Sequence, residues 1–230
     1  MMRPSLLPNL LLAAGRNLNR AISDIGLFEV GPVFIDTSET GQRTAVGGIR
    51  VGAVQVKDWQ DAGRTADLFD AKSDLFAVLD CLGVRTQNLI VSTDVPDWMH
   101  PGRSGQFMLG KTAMGCFGEL HPRICVDYGL PAGVVGFELW LNNIPMPRQK
   151  GPAKPLLKLS TFQPVTRDFA FIVEETVAAQ SIIDAVRRAA RDVVTDISVF
   201  DVYQGKGIDD GLKSVALAIT LQPRDATFSE

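Results

Sequence analysis

A chain of 230 residues with 46% apolar side chains is long enough to bury a core, as one large domain or two small ones. Its 23 basic and 26 acidic residues leave a net charge of −3, which excludes a surface that holds nucleic acid mainly through phosphate contacts. Three cysteines, Cys81, Cys116 and Cys125, form no paired framework and point to a reducing, cytoplasmic compartment.

Leu6, Leu7, Leu10, Leu11, Ala14, Leu18 and Ala21 recur at helical spacing and predict an amphipathic helix from about residue 5, with Ser5 as its N-cap. Pro8 and Asn9 interrupt the apolar run, and the pattern continues past Arg16 and Arg20, which argues against a secretory signal. The run is also far short of the ~20 residues that cross a membrane. Strands follow at residues 27–35 and 45–54, a helix at 67–82, and strand-like runs at 88–92, 106–109, 112–118 and 134–141. Several of these are joined by short turns, so the sheet should be largely antiparallel and the class α+β. Cys116, His121 and Cys125 lack a Cys-x-x-Cys spacing and a fourth ligand, so no metal site is assigned.

Pro145, Pro147, Pro152 and Pro155, together with Gly151, allow neither a helix nor a central strand. The expected division is a first domain at 1–143, a Pro-rich linker at 144–158 and a second domain at 159–230. Residues 1–154 hold 15 basic and 15 acidic side chains, and residues 155–230 hold 8 and 11. Any contact of the second domain with RNA should therefore rest on stacking and hydrogen bonds to bases, with the backbone held elsewhere.

The second domain reads as a strand at 167–173, a helix marked by Ile182, Ile183, Val186, Ala189 and Ala190, and strands at 197–203 and 213–221 joined by a glycine-rich loop at 205–211. Alternation points Phe169, Phe171, Phe200, Val202, Val215, Leu217, Ile219 and Leu221 toward the helix. The other face then displays Asp168, Ala170, Val199, Asp201, Tyr203, Ser214, Ala216, Ala218 and Thr220. Such a shallow, partly polar surface suits a flat ligand that stacks and hydrogen-bonds. An ordinary solvent-exposed sheet face fits the pattern equally well. The βαββ order is three quarters of a ferredoxin-like βαββαβ sandwich, and a second helix and fourth strand are expected in a longer parent protein.

The run Phe162-Gln-Pro-Val-Thr-Arg-Asp-Phe-Ala-Phe-Ile-Val, the Phe200-Asp-Val-Tyr-Gln-Gly element and Lys213-Ser214 resemble the anticodon-binding domain that closes the beta subunit of bacterial phenylalanyl-tRNA synthetases. Upstream, Met2-Arg-Pro-Ser-Leu-Leu-Pro-Asn-Leu-Leu, Leu27-Phe-Glu-Val-Gly-Pro-Val-Phe, His100-Pro-Gly-Arg-Ser-Gly and Gly118-Glu-Leu-His-Pro-Arg resemble landmarks of the same subunit's class II synthetase-like core. The resemblance covers nearly the whole chain, as the C-terminal part of a subunit several times longer.

The resemblance implies that Ala170, Asp201, Tyr203 and Ser214 contact the anticodon of the phenylalanine tRNA. It implies a catalytic alpha subunit as partner, in an assembly of two alpha and two beta chains, with the helix near Ser5 close to that interface or packed in the core. Synthetases of this class hold ATP with an arginine after one strand and another in a glycine-rich motif. Here Ile35-Asp36-Thr37 has no arginine and Leu139 stands where the second would fall. A leucine cannot neutralise a triphosphate. The chain is therefore expected to be noncatalytic and without its own cofactor, ATP and magnesium belonging to the complete enzyme. The competing expectation is a regulatory protein whose ferredoxin-like domain senses a small molecule, which would place a glycine-rich loop near a helix start.

Overall fold

The computed structural model describes residues 2–55, 57–84, 86, 89–145, 160–224 and 226–228. The chain divides into two compact units, Met1–Lys150 and Gly151–Glu230. The expected linker at 144–158 lies outside the described residues from position 146 onward.

The first unit is an antiparallel sheet of β1 (Ile25–Phe34), β2 (Gln42–Val51), β5 (Ile90–Ser92), β6 (Met99–Leu109), β7 (Thr112–Leu120) and β8 (Val135–Trp140), in the order β1-β2-β8-β7-β6-β5. Helix α1 (Leu7–Leu18) lies on one face, where Leu7, Leu10, Leu11 and Ala14 pack with Ile49, Met99, Cys116 and Leu120. The leucine stripe is thus spent on this unit's own core, each side chain contributing about 1.5–3 kcal/mol. Helix α2 (Leu68–Cys81) covers the opposite face through Ala71, Leu75 and Leu79, which meet Val46, Phe117, Phe137 and Leu139. It starts on a capping box: Asp67 accepts from the Phe69 and Asp70 amides, and Asp70 accepts from the Asp67 amide.

Four features depart from the sequence expectations. The N-cap of α1 is Leu6, one residue later than Ser5, although the Ser5 oxygen still accepts from the Leu7 amide while its hydroxyl donates to Glu138. The expected strand at 45–54 splits at Gly52, whose φ of +80° leaves β3 (Ala53–Gln55) to pair with β4 (Arg64–Thr65) in a small separate hairpin. Strand β6 starts at Met99, well before the expected 106. Its Pro101 and Gly102 are absorbed by a register shift between Met99, opposite Leu120, and Ser104, opposite Gly118. A six-residue helix, α3 (Pro122–Asp127), was too short for periodicity to reveal; the His121 side chain accepts from the Arg123 amide at its start.

The second unit is β9 (Val165–Glu174), α4 (Ala179–Ala189), β10 (Val194–Tyr203) and β11 (Leu212–Leu221), with strand order β10-β11-β9, all antiparallel. Ile182, Ile183 and Val186 of α4 pack on Val215, Leu217, Ile219, Phe171 and Val173, so one sheet face is a core and the other stays uncovered by α4. This is the βαββ arrangement expected for a ferredoxin-like fold.

Candidate nucleic-acid interface

The register of the second sheet defines its uncovered face row by row. Cross-strand partners project to the same side. Val215, Leu217 and Ile219 of β11 face the core, so Ser214, Ala216, Ala218 and Thr220 face outward. With their partners they form the rows Ile172–Ser214–Tyr203, Ala170–Ala216–Asp201, Asp168–Ala218–Ser198 and Thr166–Thr220–Asp196. All four residues singled out from the sequence fall on this face, in two adjacent rows. Ala170 and Asp201 flank Ala216, and Ser214 adjoins Tyr203.

Tyr203 is 45% exposed, and its hydroxyl donates to the Lys206 carbonyl at 3.2 Å. The bond is possible because the chain turns back on itself at Gly205, φ +139°, and Gly207, φ +96°. The ring is thereby anchored at its polar end while its apolar body remains accessible. The small side chains of Ala170 and Ala216 leave the centre of the face shallow. The charged members of these four rows are Asp168, Asp196 and Asp201, and none of the twelve positions holds a lysine or arginine. The face offers stacking and hydrogen-bond acceptors, and it does not attract phosphates.

Two of the assignments by alternation are reversed. Val199 was expected on the open face, but it pairs with Leu217 and so lies on the helix side. Phe200 was expected against the helix, but it is the extra residue in a register shift between Val199 and Asp201, without a cross-strand partner and 57% exposed. A bulge shifts the alternation by one residue, so Ile197, packed on the core, and Val199 take the helix side before it and the exposed Val202 takes that side after it, which leaves Phe200 beside Asp201 on the open side. Ile172, 63% exposed at the end of the Tyr203 row, was not singled out, although alternation from Ala170 reaches it directly.

In the first unit the position where the second arginine would fall is filled by an apolar side chain. Leu139 is fully buried in the core beneath α2. A cleft of about 370 Å³ between α2 and strands β1 and β2 contains one cation, Arg50, held bidentately by Asp74 at 2.7 and 2.8 Å. Glu138, 1% exposed, accepts from the Ser5 hydroxyl and the Leu6 amide, both at 2.9 Å. Burial pushes its carboxyl above the ordinary range, against the pull of those two donors. Its cross-strand neighbour Cys116 has its thiol pushed up to about 12, by burial first and the Glu138 charge second. Among the described residues no group of three or more His, Cys, Asp or Glu side chains is arranged to hold a metal, and no helix is long and apolar enough to cross a membrane.

Residues 1–141 match the family described as phenylalanyl tRNA synthetase beta chain CLM domain, and residues 160–230 match the ferredoxin-fold anticodon binding domain. Phenylalanine–tRNA ligase beta subunits are similar along the entire chain: 48% identical in Rhodospirillum rubrum, 43% in Paramagnetospirillum magneticum and 46% in Rhodopseudomonas palustris. The chain spans 29% of the length of each of these relatives. Among solved structures, a pyrrolysyl tRNA synthetase of Desulfitobacterium hafniense aligns over 60% of this chain and 47% of its own, with a TM-score of 0.44 and 18% identity. The first family match alone takes in more than half of the residues, and the chain belongs to the phenylalanyl tRNA synthetase beta chain family.

Proposed function

We propose that this chain is a noncatalytic part of a phenylalanine–tRNA ligase beta subunit, which pairs with a separate catalytic alpha subunit and recognises the anticodon of the phenylalanine tRNA in the cytoplasm. The observation that carries the reading is the register that gathers Ala170, Asp201, Tyr203 and Ser214 on one open face, within the unit matched by an anticodon-binding family. In this reading a base stacks on the Tyr203 ring, Asp201 accepts hydrogen bonds from its donors, Ser214 completes the edge contacts and Ala170 admits a close approach. The glycine-rich loop joins β10 to β11 and does not open a helix, which disfavours the small-molecule sensor.

The noncatalytic role is supported by the buried Leu139, by the absence of an arginine after β1, and by the engagement of Arg50 with Asp74. ATP and magnesium belong to the catalytic subunit, in an assembly of two alpha and two beta chains. Tyr203→Ala in the complete ligase tests the reading. Base stacking is typically worth ~1–3 kcal/mol, so the KM for tRNA should rise about tenfold. Amino-acid activation, which needs no tRNA, should be unchanged, and Tyr203→Phe should cost much less. Unaltered aminoacylation by a folded Tyr203→Ala enzyme would show the face to be ordinary surface.

A further inference from the structure

The open face carries a large aromatic ring that the four-residue site leaves unused. Phe200 is more than half exposed, sits next to Asp201, and has no cross-strand partner. Its position is not that of a stray surface residue on a regular strand. Upstream of the bulge Val199 pairs with Leu217 and lies on the helix side, and the inserted residue is what turns the next side chain to the open side while Asp201 and Tyr203 keep their own orientation. Without the extra residue, Phe200 and Asp201 could not both lie on this side.

We propose that Phe200 is a second base-stacking platform, receiving a nucleotide adjacent to the one on Tyr203. The proposal rests on the reading of this face as an RNA interface, and it adds a subsite to it. Three residues along a strand separate the two rings by about 10 Å, too far for one base to cover both, so each ring takes its own base. Sheets that bind single-stranded RNA present aromatic rings to successive splayed bases in this way. The charge of the face selects the same occupant: Asp168, Asp196 and Asp201 repel phosphates, so the strand approaches bases first with its backbone turned away. Stacking on phenylalanine needs no hydrogen-bond match, so this subsite adds affinity with little selectivity between bases.

The test uses the complete two-subunit ligase and a phenylalanine tRNA transcript, with Phe200→Leu, Phe200→Trp and, in parallel, Tyr203→Ala. Phe200→Leu should raise the KM for tRNA about fivefold or more with amino-acid activation unchanged. Phe200→Trp should hold KM within about twofold, and its added indole emission should be quenched when the transcript is added. Should Phe200→Leu fail to fold by circular dichroism, the quenching decides alone. If Tyr203→Ala weakens tRNA use while Phe200→Leu does not, or the added indole ignores the transcript, the second platform is wrong and the anticodon interface stands. If neither Phe200→Leu nor Tyr203→Ala alters tRNA use, the interface itself is wrong. An effect of Phe200→Leu with quenching, but none of Tyr203→Ala, keeps the platform and removes Tyr203 from the site.

Discussion

The Glu138 carboxylate accepts the Leu6 amide hydrogen at 2.9 Å, joining two positions 132 residues apart in sequence. This bond and the one from Ser5 fasten the entry of α1 to the middle of the first sheet. Glu138→Leu strands both buried donors, at a cost of about 1–3 kcal/mol each. Glu138→Gln keeps an acceptor and should cost less. Burial raises the folded-state pKa above its unfolded value, so the contribution of this group to stability is complete below the unfolded pKa and is lost as pH rises through the folded one. Urea midpoints measured across that window should fall with rising pH in the parent chain more steeply than in Glu138→Gln. Equal slopes would show that the carboxyl does not titrate there.

Ala170 shares its row with Ala216 and Asp201, and no larger side chain separates them. Ala170→Leu should leave the fold intact, because the added atoms point away from the α4 core. It should raise the KM of the complete ligase for tRNA by about tenfold, equivalent to ~1.4 kcal/mol, by blocking the approach of the base. Unchanged kinetics would remove Ala170 from the site.

Gly118 adopts φ +135° where β7 faces the bulge of β6, and a Cβ there would lie 2.5 Å from the Arg103 carbonyl oxygen. Strain and overlap with the backbone together make Gly118→Ala destabilising by about 2–4 kcal/mol. Thermal unfolding of the variant checks this. A loss below ~0.5 kcal/mol would show that the bulge can relax.

Cys81 is exposed at the end of α2, whereas Cys116 and Cys125 are buried in the first unit's core. One thiol per chain should therefore react rapidly with a disulfide reagent at about pH 8, and two more only in denaturant, since Cys116 is both inaccessible and held protonated. Rapid reaction of three thiols in the native protein would contradict the packing of β7 and α3.

Much of this architecture is local and was readable in the chain. The stripe from Leu7 to Ala14 and the alternation along 213–221 each depend on neighbours within a few residues, and each set an element's type or its inward face. Asp201 and Tyr203, two apart on one strand, were assigned to a common face for the same reason. Other features depended on partners far away in sequence. The exchange of Val199 and Phe200 arises where β10 meets Leu217 and Ala216, because a bulge exists only relative to the opposing strand. The passage of β6 through Pro101 and Gly102, the capture of Ser5 by Glu138 and the binding of Arg50 by Asp74 are likewise decided across the tertiary structure. Periodicity determines which residues share a side along an unbroken element; register between elements determines where that alternation breaks and which side chains meet, and here it places an aromatic ring beside Asp201.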